Sequence, residues 1–438
     1  MVDGHQARAR KWISAVGVKA VKKALVLTRC WSDEPETATH GIFQRFSLFL
    51  DALCAHVDAI EIMAFAPFSE GMPALAARHA AQYQIGRSAR ITVTAVARRP
   101  NPPAWSFIQR YLKPALWVDS QENYLNMASE PCIEAVRMAL RSAPALVFAH
   151  RLPVFTPLLK LNKDTLPPIL FDMDDIEHKA LIRGLLFAPR WQSERLRLLQ
   201  TPALMLRERA AVRASRHTFV CSQEDANLLQ RISGSSCVSA VPNAVAAPAD
   251  LPIRATAGNT FGFIGSFAHP PNLDAATWLI EDIWPRIRKV HPDANLKIAG
   301  AGSGVALAHY AGTPGLTVLD FVPDVGSFYN DVTVVLAPLR FGAGTRVKII
   351  EAAGYGLPTI STGIGAEGLV FKPEEEIVLA ESAEQIASRA CRLLSDHAAA
   401  LRIGRAARAC YKKQYGRQNA VESISGHVAR ILKTPTVR

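Results

Sequence analysis

The feature that most constrains this chain is an alternation of short apolar runs with helix-like segments over most of its length. The apolar runs have the length and composition of buried strands, and they lie at 24–29, 57–65, 91–96, 145–150, 168–175 and 217–222. The intervening segments, such as 41–56 and 131–143, have helical spacing. Because strands joined by helical crossovers form parallel sheets covered on both faces, the predicted class is α/β.

A break near residues 245–259 divides this alternation into two series. The stretch "VAAPADLPIRATAGN" is rich in alanine and proline and has no period, which indicates a linker. A second series of strands follows at 260–267, 294–300, 316–321, 332–339 and 357–362. Since the chain also exceeds the usual size of a single core, we predict two doubly wound, Rossmann-like domains, 1–250 and 251–411. The default ligand site is the cleft between them.

Charge and cysteine content restrict the partners and the compartment. The formal net charge is +12, which favours anionic substrates, anionic lipid surfaces or nucleic acid. No interleaving of basic and aromatic residues suggests an RNA-binding platform, so nucleic acid is not expected. The seven cysteines are scattered and form no CxxC pair, which argues against a zinc site or a disulfide framework and favours a cytoplasmic protein.

The basic N-terminal segment does not have the pattern of a secretory signal. Its apolar piece "WISAVGV" is short and is followed at once by lysines. No stretch reaches the about 18 apolar residues that a membrane span requires. The segment therefore predicts either an amphipathic helix lying on a membrane surface or a disordered basic tail.

The stretch "APLRFGAGTRVKIIEAAGYGLPTIST" has the composition of a phosphate site. Gly342 and Gly344 allow a ligand to approach the backbone, and a helix is predicted to begin near Gly344. Arg346 and Lys348 would then lie in the first turn, where positive charge opposes the helix dipole unless an anion binds there. The arrangement predicts a site for a diphosphate.

Glu351 lies one to two turns further along the same predicted helix. A carboxylate at that distance can accept two hydrogen bonds from a ribose diol, and a diphosphate joined to a ribose is a nucleotide. The alternative is structural: Arg346 and Lys348 are solvated, and Glu351 pairs with Lys348.

The second half of the chain resembles the donor-binding domain of glycosyltransferase family 4, also called group 1, which has the GT-B fold. The resemblance rests on "FVPDVGSFYNDVTVVLAPLRFGAGTRVKIIEAAGYGLPTISTGIGAEGL", with "FGFIGSFAHPPNLDA" similar to the opening strand and turn of that domain. "VPNAV" and "VCSQEDANLL" resemble elements near the end of the first domain. The likeness covers the second domain nearly end to end and the first more loosely.

This resemblance implies roles for the donor-side residues. Glu351 would hold the nucleotide ribose, while Gly342, Gly344, Arg346 and Lys348 would hold the diphosphate. The turn Gly265-Ser266 would approach the phosphates or the sugar from the other side. The family needs no metal or other cofactor, transfers the sugar with retention, and packs its last helix, here 412–438, back on the first domain.

Two departures from the family pattern leave alternatives open. Many members carry a glutamate where this chain has Ala343, and many place a basic pair after the first strand, where "SFAHPPN" offers only His269 and Asn272. Two other readings therefore remain: a catalytically silent nucleotide-sugar binding protein, or a nucleotide-sugar epimerase of the same fold.

The first domain would hold the acceptor. Gly41, at a predicted helix start beside His40 and Arg45, resembles the glycine-rich turn that faces the cleft in the family; the alternative is a plain helix start. "FDMDDIEH" contains a DxD pattern, which we do not read as a metal site because the helix and glycines downstream already supply the anion site. Asp174 falls where the family often has a histidine lining the cleft. We predict Asp174 and His150 as catalytic residues; a structural role is the alternative for His150.

These observations together predict a hexosyl-type glycosyltransferase of polysaccharide biosynthesis. The donor would be a nucleotide-diphosphate sugar, and the acceptor a glycan, a lipid-linked molecule or a small molecule. The excess positive charge suits peripheral association with the anionic inner face of a membrane.

Overall fold

A computed structural model of the protein describes residues 21–36, 41–98, 106–187, 192–245, 258–320, 322, 324–342 and 346–433. The predicted site residue Gly344, its neighbour Ala343, His40 and the basic segment 1–20 lie outside these ranges.

The first domain is built on a seven-stranded parallel sheet with the strand order β3-β2-β1-β4-β5-β6-β7. Its central strands are buried along almost their whole length because helices cover both faces. The strands are β1 (Lys23–Thr28), β2 (Ala59–Pro67), β3 (Arg90–Arg98), β4 (Leu146–His150), β5 (Ile169–Asp174), β6 (His217–Val220) and β7 (Val238–Ala240).

The helices of this domain enclose one apolar cluster on each face of the sheet. Short helical turns also occur at Ile108–Leu112, Val118–Ser120, Lys163–Thr165 and Gln192–Gln200. The α-helices are α1 (Gly41–Cys54), α2 (Met72–Gln84), α3 (Lys113–Leu116), α4 (Glu122–Leu125), α5 (Glu130–Leu140), α6 (Leu152–Leu159), α7 (Glu177–Phe187), α8 (Thr201–Ala214) and α9 (Gln223–Ser233).

The second domain repeats this plan with six parallel strands in the order β10-β9-β8-β11-β12-β13. The strands are β8 (Thr260–Ile264), β9 (Asn295–Ala299), β10 (Leu316–Leu319), β11 (Val334–Ala337), β12 (Thr359–Ser361) and β13 (Val378–Leu379). The α-helices are α10 (Pro270–Trp278), α11 (Trp284–Val290), α12 (Ser303–Ala306), α13 (Val325–Asn330), α14 (Val347–Gly354), α15 (Gly363–Ala366), α16 (Ala383–Ser395), α17 (His397–Gln414) and α18 (Arg417–Lys433), with further turns at Leu279–Ile283 and Ala308–Tyr310.

The strand order fixes where ligands can bind. In each sheet the direction of winding reverses once, between β1 and β4 in the first domain and between β8 and β11 in the second. The crevice outside the carboxyl ends of such strands is the usual ligand site of a doubly wound sheet. In the second domain, β8 ends one residue before Gly265 and β11 ends five residues before Gly342.

The last helix belongs to the first domain in space although it follows the second in sequence. Helix α18 begins at Arg417, and its apolar residues Ala420, Ile424, Val428 and Ile431 join the cluster beneath α1. A second link ties the domains where the chain crosses, since the Tyr411 hydroxyl donates a 2.6 Å hydrogen bond to the carbonyl of Val245.

Two strands of the structure are not predicted by the sequence pattern. β7 has three residues and β13 has two, and both lie at a sheet edge. A run that short carries too few apolar residues to be recognised by alternation.

Candidate active site

The turn after β8 and the start of α14 meet at the winding reversal of the second sheet. A Cβ atom on Gly265 would lie 2.7 Å from Nδ2 of Asn272 and 2.9 Å from Nζ of Lys348. Only glycine therefore leaves room for the lysine at this turn. Ser266 is exposed beside it, and its carbonyl accepts a 2.8 Å hydrogen bond from Asn272.

Lys348 is buried, and no described carboxylate lies within ion-pair distance of its ammonium, although the charge of Glu351 favours protonation. Its Nζ donates a 2.8 Å hydrogen bond to Oδ1 of Asn272 and lies 3.9 Å from the centre of the Phe263 ring. Burial, and then the positive charge of Arg346, lower the pKa of Lys348 to about 7. An anion bound at this position would reverse that shift, because an opposite charge favours the protonated ammonium.

Arg346 adds a second buried cation beside Lys348. Helix α14 begins at Val347, so Arg346 immediately precedes the helix, slightly later along the chain than the predicted start near Gly344. Gly342 has a φ of 122°, and a Cβ there would lie 2.9 Å from Nη2 of Arg346. The glycine thus allows both the turn and the approach of the guanidinium group.

Glu351 is contacted from both domains. The Tyr329 hydroxyl donates a 3.1 Å hydrogen bond to one carboxylate oxygen, and Nε2 of Gln44, in the first domain, approaches the other to 3.5 Å. Burial raises the pKa of Glu351. The alternative pairing of Glu351 with Lys348 is not formed among the described contacts, because the ammonium is directed to Asn272.

Gly41 begins helix α1 at the contact between the domains. A Cβ atom there would lie 3.1 Å from Cγ2 of Val347, the first residue of α14. The amino ends of two helices, one from each domain, therefore lie side by side at the cleft. This contact gives a physical reason for the glycine, and it leaves its predicted acceptor role a prediction.

Arg45, predicted to face the acceptor, lies inside the first domain instead. Its guanidinium forms two hydrogen bonds with Asp172, of 2.8 and 2.6 Å, and a third of 2.8 Å with the carbonyl of Val241. The side chain is 1% exposed. Arg45 thus neutralises a buried strand carboxylate and cannot contact an acceptor from this position.

His150 is also enclosed. The residue has no exposed surface, and its Nδ1 lies 3.2 Å from Oγ1 of Thr28 and 3.4 Å from Sγ of Cys30. Burial lowers the pKa of His150 to about 3, which keeps the ring neutral at ordinary pH. The position contradicts direct contact of His150 with a substrate, because the sheet surrounds the ring.

Asp174 lies at the end of β5, and its oxygens are already engaged. Nη2 of Arg151 lies 3.0 Å from Oδ2, and the thiol of Cys221 donates to Oδ1 over 3.0 Å. Although burial opposes ionisation, Arg151 and then Arg45 hold the pKa of Asp174 below its usual range. The geometry is that of a residue which orients Arg151.

Arg151 is a cleft residue that the sequence patterns did not single out. It has a φ of 75° and a ψ of 152°, and Asp174 has a φ of 61°, so two neighbouring non-glycine residues have strained backbones. Such conformations cost about 1–3 kcal/mol each and concentrate at functional sites. The available signal was position alone, because Arg151 directly follows β4 at the carboxyl edge of the sheet.

Beside Arg151, the first domain has a cavity of about 280 Å³. Asp175 and Glu177 line it, and the Tyr124 hydroxyl donates a hydrogen bond to Glu177. Burial raises the pKa of Glu177 to about 6. Burial and then the charge of Asp174 raise the pKa of Asp175 to about 6, while Arg151 and then Arg346 of the second domain oppose that rise. The charge of Arg346 therefore acts on a residue that lines the cavity.

One group of side chains among the described residues could contact a metal ion. Ligand atoms of Asp174, Asp175 and Cys221 lie within 4.8 Å of one another. Two arginines already pair with the carboxylates, and burial raises the pKa of Cys221 far above its usual range, so the sulfur remains a thiol. These residues fit a divalent ion poorly, because metal binding requires a thiolate and unoccupied oxygens.

Comparison with protein families supports the resemblance inferred from the sequence. Residues 258–396 match the family model described as glycosyl transferases group 1, which confirms the resemblance for the second domain. A Klebsiella pneumoniae protein described as an uncharacterized 44.6 kDa protein in the cps region is 29% identical over 126 residues. The match covers 27% of this chain and 32% of that protein.

Solved structures match nearly the whole chain. Sucrose-phosphate synthase from Thermosynechococcus elongatus has a TM-score of 0.64 at 15% identity and covers 94% of this chain and 99% of its own. HepE of Anabaena in complex with UDP has a TM-score of 0.60 at 12% identity, and the match covers 93% of this chain and 100% of HepE. Pneumococcal GtfA in complex with UDP and GlcNAc has a TM-score of 0.62 at 10% identity, and the match covers 95% of this chain and 100% of GtfA. The chain has the GT-B fold, as predicted.

Proposed function

We propose that this protein is a glycosyltransferase that moves a sugar from a nucleotide-diphosphate sugar to an acceptor hydroxyl in the interdomain cleft. The observation that carries the proposal is the buried pair Arg346 and Lys348 at the start of α14. Burial and the charge of Arg346 lower the proton affinity of Lys348, so a protonated lysine is unfavourable at this position unless an anion binds beside it. A diphosphate at a helix start supplies that anion.

Glu351 would hold the ribose that follows the diphosphate. It lies on the same helix as Lys348, one turn deeper, and its hydrogen bonds to Tyr329 and Gln44 fix its rotamer. We propose UDP as the nucleotide, because HepE and GtfA were both solved with UDP. The cps-region relative supports polysaccharide biosynthesis, and we propose a glycan or lipid-linked acceptor on that ground.

The acceptor would enter from the cavity beside Arg151. Its oxygen forms a bond to the anomeric carbon, while the bond from that carbon to the diphosphate breaks and the nucleotide leaves with the electron pair. We propose retention, in which the acceptor approaches the face that the diphosphate leaves. The departing phosphate oxygen is then the nearest base, and it takes the proton of the acceptor hydroxyl.

No metal is required in this scheme. Arg346, Lys348 and the amino end of α14 neutralise the charge that develops on the leaving diphosphate, which is the task of a divalent ion in other transferases. Asp174 acts here as a positioning residue for Arg151.

The experiment is a screen of purified full-length protein with UDP-, GDP- and ADP-sugars, with EDTA present. We expect binding of one nucleoside diphosphate, and release of that nucleotide when extracts containing glycan or lipid acceptors are added. NMR of the product would show the anomeric configuration of the donor retained. Absence of binding to all three diphosphates contradicts the proposal. Conversion of the donor into a new nucleotide sugar would identify an epimerase, and tight binding without turnover would identify a silent binding protein.

A further inference from the structure

An apolar surface lies on the first domain beside the cavity. Leu116 and Trp117 are 71% and 63% exposed, and Phe107 and Ile108 are 58% and 62% exposed. Eight of the 17 large apolar side chains that are exposed among the described residues come from the segments 106–117 and 192–206. Single exposed apolar residues are ordinary, but a concentration of this kind marks an interaction site. The remaining four of these eight exposed apolar side chains are Leu112, Leu196, Leu199 and Leu206.

The two segments form one structural unit. The turns at 108–116 pack against 192–200 and against helix α8. The side chain of Gln200 donates a 2.9 Å hydrogen bond to the carbonyl of Arg110, and that of Gln121 donates one of 3.2 Å to the carbonyl of Pro114. The exposed apolar residues are thus held by an anchored backbone. We call these eight residues, together with the exposed Lys113 and Arg195, the docking surface.

The charge of the docking surface is positive. The segments 106–117 and 192–214 contain seven arginines and lysines and two glutamates. Glu194 pairs with Arg110, and Glu208 is buried against Nδ1 of His178 at 2.5 Å. Glu194 also lies 4.0 Å from Arg197, and Arg207 pairs with Asp119, so the outward positive charge comes from the exposed Lys113 and Arg195.

The docking surface borders the cavity proposed for the acceptor. Arg197, Gln200 and Leu204 belong to its second segment and also line that cavity, together with Asp175 and Glu177. An acceptor whose lipid lies in a bilayer touching the docking surface would therefore present its head group at the cleft.

We propose that this surface docks the protein peripherally on an anionic lipid bilayer, from which a lipid-linked acceptor enters the cavity. The choice of acceptor rests on the proposed transferase function, whereas the docking itself does not. Tryptophan, leucine and phenylalanine insert among head groups and upper acyl chains, and arginine and lysine attract anionic lipids. In the part of the chain described by the structure, no helix is long and apolar enough to cross a membrane.

A bilayer fits this surface better than a second copy of the chain does. A symmetric dimer would place two positive surfaces against each other, and this repulsion opposes association. An anionic bilayer offers both an apolar interior and the opposite charge.

The test is co-sedimentation of the full chain with phosphatidylcholine vesicles that contain or lack phosphatidylglycerol. We expect binding that requires phosphatidylglycerol and weakens with salt. Leu116→Ser combined with Trp117→Ser should weaken it about 10-fold or more, because both side chains leave the acyl region. Lys113→Glu should weaken it about 10-fold at low salt. The matched control is Val290→Ser with Val305→Ser, two valines 61% and 86% exposed on the second domain, which should bind as the wild type.

Several outcomes overturn the inference. These are equal vesicle binding by the Leu116/Trp117 variant and the wild type, no binding at any lipid composition, or a wild-type dimer that the variant makes monomeric without a change in vesicle binding. UDP affinity, measured in parallel, separates this inference from the proposed function. A wild-type protein that binds UDP but no vesicles contradicts only the docking surface, and one that binds vesicles but no UDP contradicts only the nucleotide site.

Discussion

The side chain of Gln44 reaches across the cleft to Glu351, with 3.5 Å between Nε2 and Oε1. Gln44 lies in α1 of the first domain and Glu351 in α14 of the second, so the carboxylate proposed to hold the ribose also contacts the acceptor domain. Nucleotide binding and the relative position of the domains are therefore expected to be coupled through this residue.

Replacement of Glu351 by alanine should weaken UDP binding by about 1–3 kcal/mol, the range for loss of a hydrogen bond to a charged group. Isothermal titration calorimetry at fixed salt would measure the change. Tyr329→Phe removes only a neighbouring hydroxyl and should weaken binding by about 1 kcal/mol or less.

The control for this substitution is Glu384→Ala, which removes an exposed carboxylate from the same domain. It should leave the affinity unchanged. Equal affinity of Glu351→Ala and the wild type would contradict the assignment of Glu351.

UDP binding should take up protons near neutral pH because of Lys348. Its pKa is about 7 in the nucleotide-free protein, and a bound diphosphate raises it. The affinity contributed by the charged lysine is therefore complete below pH about 7 and is lost as the pH rises toward the pKa of the complex. Calorimetry in buffers of different ionisation enthalpy gives the proton count. Lys348→Met should remove the proton uptake by the lysine and leave only the titration of the nucleotide itself. An unchanged number of protons taken up by that variant would exclude Lys348 from the site.

The same substitution should stabilise the nucleotide-free protein. Lys348 has a folded-state pKa of about 7 against an ordinary value of 10.5, so between these pH values the unfolded chain binds more protons and stability rises with pH. At pH 7, Lys348→Met should raise the free energy of unfolding by about 1 kcal/mol, as replacement of a strained functional residue often does. Thermal unfolding measures the stability of the nucleotide-free protein and, with UDP added, the stabilisation that the nucleotide provides. The control Lys372→Met, at a lysine 68% exposed, should change neither quantity. A destabilised Lys348→Met protein would show that the ammonium supports the fold.

Arg45 should matter for stability and not directly for acceptor binding. Arg45→Met leaves Asp172 charged and buried without its partner, which costs about 3–5 kcal/mol. Urea unfolding would measure this loss, and Arg78→Met is the control, because the pair of Arg78 with Glu36 is exposed and screened by water. A stable Arg45→Met protein with impaired acceptor binding would restore the acceptor role predicted from sequence.

An ion pair between the domains should favour the closed cleft. Arg183 of α7 forms two hydrogen bonds with Glu367 of the second domain, one of them 2.7 Å long, and Lys179 lies 3.3 Å from the same carboxylate. Glu367→Gln should weaken closure by about 1 kcal/mol, since these groups are partly exposed and screened. Small-angle X-ray scattering should show a larger radius of gyration for the variant, and added salt should move the wild type the same way. Arg389→Gln, which breaks an exposed pair with Glu374 inside the second domain, should have no effect; identical scattering from all three proteins would exclude a closing role.

The donor side of the site could be predicted because it is local in sequence. Gly342, Arg346, Lys348 and Glu351 lie within ten positions of one another, and a turn followed by a helix is enough to bring them together. The first domain was predicted less well for the opposite reason. Arg45 and Asp172 are 127 positions apart, and no local pattern indicates that they pair inside the sheet.

The sequence by itself determined the two doubly wound sheets and the glycine and charge pattern at the start of α14, because apolar period and turn chemistry act over a few residues. Only the tertiary structure decided that His150 and Arg45 are interior, that Arg151 and Asp174 have strained backbones, and that Glu177 faces a cavity. Burial and long-range pairing depend on which strands become neighbours, and that order is set when the whole sheet packs.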